Sequence, residues 1–239
     1  MPFKTTLNYS PNFYSKKRQK KDIRFIILHY TGMKSEKAAI IKLTNIQSEV
    51  ASHYLISQNG KITSLVPDLY ISWHAGISSW KTINSLNKNS IGIEITNPGH
   101  QFGYKKFSKK QINSLVDFIK FLIKKYKINK RNILGHSDIA PDRKKDPGEK
   151  FPWEYLAKKN IGIWHDLGKQ KLRKLRKIKC NKKMKNLFLK NLFKIGYVKR
   201  GKKNGYIVFV IKAFQRRFRP ELINGKIDQE CLLISQNLT

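Results

Sequence analysis

Apolar runs and amphipathic stretches alternate along the first two thirds of the chain. Phe25-Ile26-Ile27-Leu28 is a continuous apolar run that closes on His29-Tyr30-Thr31-Gly32, and its length and uniformity predict a strand buried on both faces. Residues 35–45 place Ala38 and Ile41 at helical spacing behind a Ser35 cap, which predicts a helix. His53-Tyr54-Leu55-Ile56 and Ile62-Thr63-Ser64-Leu65-Val66 flank Asn59-Gly60. That pattern predicts a hairpin, because Asn-Gly tolerates the positive φ angles of a tight turn. Ile91-Gly92-Ile93-Glu94-Ile95 predicts another strand, with Glu94 on the sheet face opposite Ile93 and Ile95. The clearest helix spans 108–126: Ser108 and Gln111 have capping-box spacing, and Ile112, Leu115, Val116, Ile119 and Ile123 form one stripe. A short strand, Asn132-Ile133-Leu134, then runs into Gly135-His136. This interleaving predicts an α/β domain, a mixed β-sheet flanked by helices, over residues 1–166.

The last third changes character. Between Leu167 and Pro220 there are twenty Lys or Arg and no acidic residue. Residues 167–181 read as a basic linker, which helix could extend into. Helices are predicted at 182–195 (Leu187, Phe188, Leu192, Phe193), 206–218 (Val210, Phe214) and 228–233, the last capped by Asp228. They make a small all-α unit over 182–239, near the lower size limit for independent folding and expected to lean on its neighbour.

Composition bounds the function. A 40% hydrophobic content supplies a core despite 27% charged residues, which excludes global disorder. Fifty Lys and Arg against 15 Asp and Glu leave a net charge of +35. Anionic partners follow from it (nucleic acid, acidic lipid or a cell-wall polymer), and so does the plainer reading of solvated lysine faces. Cys180 and Cys231 are too few for a disulfide framework and are expected to remain unpaired. No stretch has the length and hydropathy of a signal peptide or a membrane span. The chain is therefore expected to be soluble as given, with export requiring a removed signal or an unconventional route.

The chemistry rests on His29, His136 and Asp146. Imidazole and carboxylate are zinc ligands, and a three-ligand site leaves a position open for water, so metal-assisted hydrolysis is the leading expectation. Asp146 precedes Pro147-Gly148, a turn pair that can present a carboxylate from a loop. Asp138, two residues after His136, competes for the carboxylate position but is expected instead to cap or orient its loop, or to support the site from behind the ligands.

The motif blocks carry a resemblance. Phe25–Gly32, Ser52-His53-Tyr54-Leu55-Ile56, Trp73-His74-Ala75-Gly76, Ser90-Ile91-Gly92-Ile93-Glu94, Gly135-His136-Ser137-Asp138-Ile139-Ala140-Pro141 and Arg143-Lys144-Lys145-Asp146-Pro147-Gly148 followed by Phe151-Pro152-Trp153 stand in this order. The chain from about Ser10 to Trp153 resembles the zinc-dependent N-acetylmuramoyl-L-alanine amidases of type 2, whose fold is shared with peptidoglycan recognition proteins. It is most similar to the two-domain Gram-negative branch.

The resemblance implies one zinc ion on His29, His136 and Asp146, with Glu94 as general base to the zinc-bound water. It implies Lys144 as support for the oxyanion, although the adjacent Lys145 leaves the register open. It implies a substrate contact at Asn97. His53, in the hairpin, is expected either to support the site from behind or to touch substrate, and Trp73 and His74 to wall the cleft, where an aromatic could stack on a sugar. His100 and His165 are expected at the surface. Phe214-Gln215-Arg216-Arg217-Phe218-Arg219-Pro220 resembles the core block of a three-helix peptidoglycan-binding domain, although a plain core stripe explains Phe214 and Phe218 equally well.

The expected function is cleavage of the amide between N-acetylmuramic acid and L-alanine of the stem peptide. The alternative is a module that recognises muropeptide without cutting it; such modules usually lack a ligand, and this chain keeps all three. Specific nucleic-acid binding has charge alone behind it. The cell envelope is the expected location, with the cytoplasm as the alternative. The sequence leaves the oligomeric state open.

Overall fold

The computed structural model describes residues 3–199 and 205–239. Its strands are β1 (Thr6–Leu7), β2 (Phe13–Tyr14), β3 (Phe25–Tyr30), β4 (Tyr54–Ile56), β5 (Ile62–Ser64), β6 (Ile71–Ser72), β7 (Ser79–Trp80), β8 (Ile83–Asn84), β9 (Ser90–Ile95) and β10 (Ile133–Gly135). Its α-helices are α1 (Glu36–Thr44), α2 (Lys109–Tyr126), α3 (His136–Ile139), α4 (Trp153–Lys158), α5 (Lys169–Leu175), α6 (Lys182–Ile195), α7 (Tyr206–Phe218) and α8 (Gln229–Asn237). Six strands form one mixed sheet in the order β1-β5-β4-β9-β3-β10. The β4–β5 hairpin is its antiparallel pair; the other four pairings are parallel.

The two faces of this sheet are covered differently. Ile26, Leu28, Ile91, Ile93 and Ile95 project to one side and pack on Leu115, Phe118, Ile119 and Leu122 of α2. The capping box that predicted α2 is present: Ser108 Oγ accepts the Gln111 N–H at 3.1 Å, and Gln111 Oε1 accepts the Ser108 N–H at 3.0 Å. On the other side Phe25, Ile27 and Leu134 share a cluster with Phe188, Leu192, Val210 and Phe214 of the C-terminal helices. The small helical unit thus completes a core that begins in the sheet, rather than enclosing one of its own. Leu55 packs with Leu43 of α1 and Leu65 on the same side.

Three local expectations are corrected. In α1 the buried residues are Ala39 and Leu43, while Ile41 is 55% exposed; helical spacing alone did not distinguish the two stripes. The β4–β5 connection runs over residues 57–61, and Gly60 alone takes positive φ, at 90°. Its N–H donates to the Ser57 carbonyl at 2.9 Å, a longer turn than a two-residue Asn-Gly loop. In α6, Phe188 and Leu192 are buried with Ile195, but Leu187 and Phe193 are exposed. Helix does extend into the basic stretch 167–181, as α5, anchored by buried Leu172. Cys180 and Cys231 are buried free thiols.

Candidate metal centre and its cleft

Strands β3, β9 and β10 are parallel, so their carboxyl ends share one rim of the sheet, where open α/β sheets present their ligand sites. His29 on β3 pairs in register with Glu94 on β9, and both side chains leave the same face. Gly135, the last residue of β10, pairs with Leu28. The chain then turns directly into α3, whose first residue is His136. Asp146 arrives from the following loop, whose course is fixed by the Ser137 N–H donating to the Asp146 carbonyl at 2.9 Å.

His29 Nδ1, His136 Nδ1 and Asp146 Oδ2 form a nearly equilateral triangle with edges of 2.9, 3.0 and 3.1 Å. The surrounding hydrogen bonds decide which ring nitrogens carry protons. Ser90 Oγ donates to the Leu86 carbonyl at 2.6 Å, so it accepts the His74 Nε2–H at 3.1 Å. His74 Nδ1 is then an acceptor, and His29 Nε2–H donates to it at 3.1 Å. His136 Nε2–H donates to the Ala75 carbonyl at 3.1 Å. Burial first, and then His136, lowers the His29 pKa to about 4, which keeps that ring neutral. With each Nε2–H committed to an outer partner, the Nδ1 atoms are left to offer lone pairs towards the Asp146 carboxylate.

Three lone-pair-bearing atoms about 3 Å apart repel one another unless a cation sits among them. Bonds of about 2.0–2.2 Å in tetrahedral geometry place ligand atoms roughly 3.3 Å or slightly more apart, within a few tenths of an ångström of the edges seen here. The donor set therefore fits a metal ion, and both imidazoles have the outer hydrogen-bond partners that orient ligating histidines. Gly92 makes room for the relay: a Cβ there would stand 2.4 Å from the His74 ring.

The triangle opens into a cleft of about 510 Å³, whose lining includes Glu94, Tyr30, Thr31, Arg143, Lys144 and Lys145. Glu94 Oε2 is enclosed without a hydrogen-bond partner. Burial, reinforced by Asp146 and opposed by Lys144, raises the Glu94 pKa well above 4.5. Lys144 is half-buried and its charge acts on both Glu94 and His29, whereas Lys145 is exposed.

Several predicted contacts lie elsewhere. Asp138 is outside the triangle and caps its own turn, as expected of it: its carboxylate accepts the Gly135 N–H at 2.8 Å and the Tyr197 hydroxyl at 2.7 Å. His53 is fully buried behind His74; its Nδ1 accepts the Gly92 N–H at 3.0 Å and its Nε2–H donates to the Tyr70 carbonyl at 3.1 Å. Asn97 is buried, with its amide used on the Lys105 carbonyl and the Gly99 N–H. Trp73 packs edge-on against Tyr14 and is not part of the cleft wall. His74 does reach the cleft, although its hydrogen bonds serve His29. His100 is exposed as expected; His165 is instead buried and stacks on Trp164. Tyr30 and Arg143 were missed as cleft residues, although both stand inside the motif blocks that supplied His29 and Lys144.

Comparison with known proteins bears on this geometry. Residues 19–149 match the family model described as N-acetylmuramoyl-L-alanine amidase. The chain is 37% identical over 229 residues to N-acetylmuramoyl-L-alanine amidase AmiD of Escherichia coli, covering 90% of this chain and 82% of that one. It superposes with a TM-score of 0.78 at 36% identity on the E. coli AmiD complex with anhydro-N-acetylmuramic acid-L-Ala-D-gamma-Glu-L-Lys, covering 91% and 88% of the two chains. AmpDh3 of Pseudomonas aeruginosa, in complex with anhydromuramic pentapeptide, matches with a TM-score of 0.78 at 30% identity over 97% and 96%.

Proposed function

The chain belongs to the N-acetylmuramoyl-L-alanine amidase family, and we propose that it hydrolyses the amide joining the lactyl group of N-acetylmuramic acid to L-alanine of the peptidoglycan stem peptide. The observation that carries the reading is the triangle of His29 Nδ1, His136 Nδ1 and Asp146 Oδ2, with Glu94 beside it on the same sheet face. Two neutral imidazoles and one carboxylate are a donor set suited to catalytic zinc. Bound there, zinc supplies the positive charge that polarises the scissile carbonyl and lowers the pKa of water to about 7.

The chain's own residues divide the remaining work. Glu94, enclosed and with raised proton affinity, accepts the proton of the attacking water and returns it to the leaving amine of L-alanine. Lys144 directs its positive charge at the oxygen that becomes negative as the carbonyl turns tetrahedral. His74 and Ser90 hold His29 in the tautomer that offers Nδ1. Residues 1–166 form the catalytic unit, 167–181 the basic connection and 182–239 the helical unit. A net charge of +35 suits work against anionic wall polymer in the cell envelope. Retention of all three ligands together with Glu94 and Lys144 favours an enzyme over a muropeptide-recognition module.

The purified protein is expected to release free stem peptide from soluble anhydro-muropeptides or from intact sacculi, to stop when metal is stripped by a chelator, and to recover with zinc. Undiminished turnover after verified metal removal contradicts the reading. The rate on sacculi relative to soluble fragments decides between wall remodelling and recycling of released fragments.

A further inference from the structure

Asp138 is two residues beyond the ligand His136 in a helix of one turn, and it is buried at 2% exposure. Each of its carboxylate oxygens is held by the C-terminal helical unit. Oδ1 accepts the Tyr197 hydroxyl at 2.7 Å, and Oδ2 accepts Arg217 Nη1 together with the Gly135 N–H. Arg217 reaches further: its Nη2 donates to the Ile133 carbonyl of β10 at 3.1 Å, and its guanidinium lies 4.1 Å from the centre of the Trp153 ring. Tyr197 and Arg217 are themselves buried, at 2% and 3% exposure. One bidentate carboxylate thus ties together the end of β10, the turn that carries His136, and the helical unit.

A single helical turn has little stability of its own, since nucleation costs more than its few hydrogen bonds return. The position of His136 must therefore come from what grips α3. We propose that Arg217 and Tyr197 are positioning residues of the metal centre, acting through Asp138 to fix His136 against His29 and Asp146. The C-terminal helices, besides any affinity for the wall, then complete the site physically. The inference rests on the metal-binding reading of His29, His136 and Asp146.

The matched control lies two residues away. Arg219 is equally buried at 1% exposure, and its guanidinium hydrogen bonds go to Asp228, Glu230, Asn224 and the Leu222 carbonyl, all within the helical unit. Removing either arginine leaves a buried carboxylate without its partner, so both substitutions destabilise the fold. Only one of them touches the turn that carries a ligand.

The test measures zinc affinity of the full chain by competition with a chelator of known affinity, alongside thermal melting of the metal-free protein. Arg217→Met is expected to weaken zinc binding roughly 10- to 100-fold, the usual loss when an outer partner of a metal site is removed. Arg217→Lys is expected to recover part of it, because lysine keeps the charge and loses the fork. Arg219→Met is expected to lower the metal-free melting temperature while leaving zinc affinity at the wild-type level. Wild-type affinity in Arg217→Met, or an equal loss in Arg219→Met, overturns the proposal. If Arg217→Met does not fold, Tyr197→Phe decides: a smaller loss of affinity in the same direction is expected, and none overturns it. A wild-type chain that takes up no zinc removes the metal reading and this inference with it, and differs from the other outcomes because wild type and variants then agree.

Discussion

At the scale of single residues, identity and use separate clearly. His29, His136 and Asp146 converge as their motif blocks implied, and Glu94 stands beside His29 because adjacent parallel strands pair those two positions. His53 and Asn97 stand in the same kind of block, yet their polar atoms go to backbone groups of Gly92, Tyr70, Gly99 and Lys105. A sequence specifies which donors a side chain owns, while the backbone groups that reach it are set by tertiary packing. The enclosed Glu94 carries the proton transfer in this account. Glu94→Gln keeps the shape and removes the base, so kcat is expected to fall by about 10²–10⁴-fold with zinc content unchanged. Metal analysis of the purified variant beside its turnover checks this, and near-wild-type turnover assigns the base elsewhere.

Elements were legible where a local signal ended them. The capping box began α2, and Asp228 caps α8 as expected, its Oδ1 accepting the Cys231 N–H at 3.0 Å. α8 nevertheless runs on to Asn237, and α1 buries the stripe the pattern did not single out. The join between elements was hidden altogether. Asp68 accepts the Tyr54 hydroxyl of β4 at 2.6 Å, Lys125 Nζ of α2 at 2.8 Å and the Tyr126 hydroxyl, and nothing in the spacing of those residues announces it. Burial alone would raise the Asp68 pKa, but these three donors, Lys125 foremost, lower it below the ordinary value. A lowered pKa means stability that is fully present above the unfolded value of about 3.9 and lost as pH falls through the folded one. Asp68→Asn is therefore expected to cost about 1–3 kcal/mol near pH 7, with the gap to wild type closing below about pH 4. Urea unfolding of the metal-free protein at both pH values measures it, and an undiminished gap in acid contradicts the assignment.

At the scale of the whole molecule, the sheet organises everything. One face is closed by α2; the other is shared by α1, the cleft and the C-terminal helices. The interleaved pattern announced this α/β layout, but not that Phe25 and Ile27 would share a core with Phe188 and Phe214, because hydrophobic residues carry no mark of their partners. Among the described residues no helix is long and apolar enough to cross a membrane. The +35 charge is a property of the entire surface, and diffuse charge gives adsorption that salt reverses. Binding to duplex DNA is expected at low salt and is expected to collapse by about 0.15–0.2 M; tight binding that survived would establish a nucleic-acid site. The claim beneath all three scales is that one metal ion joins β3, α3 and the loop after it. Diffraction from zinc-loaded crystals at the zinc absorption edge tests it most directly. The account predicts one strong anomalous peak within about 2.0–2.2 Å of His29 Nδ1, His136 Nδ1 and an Asp146 carboxylate oxygen. A fully active crystal whose peak lies away from those three atoms contradicts it.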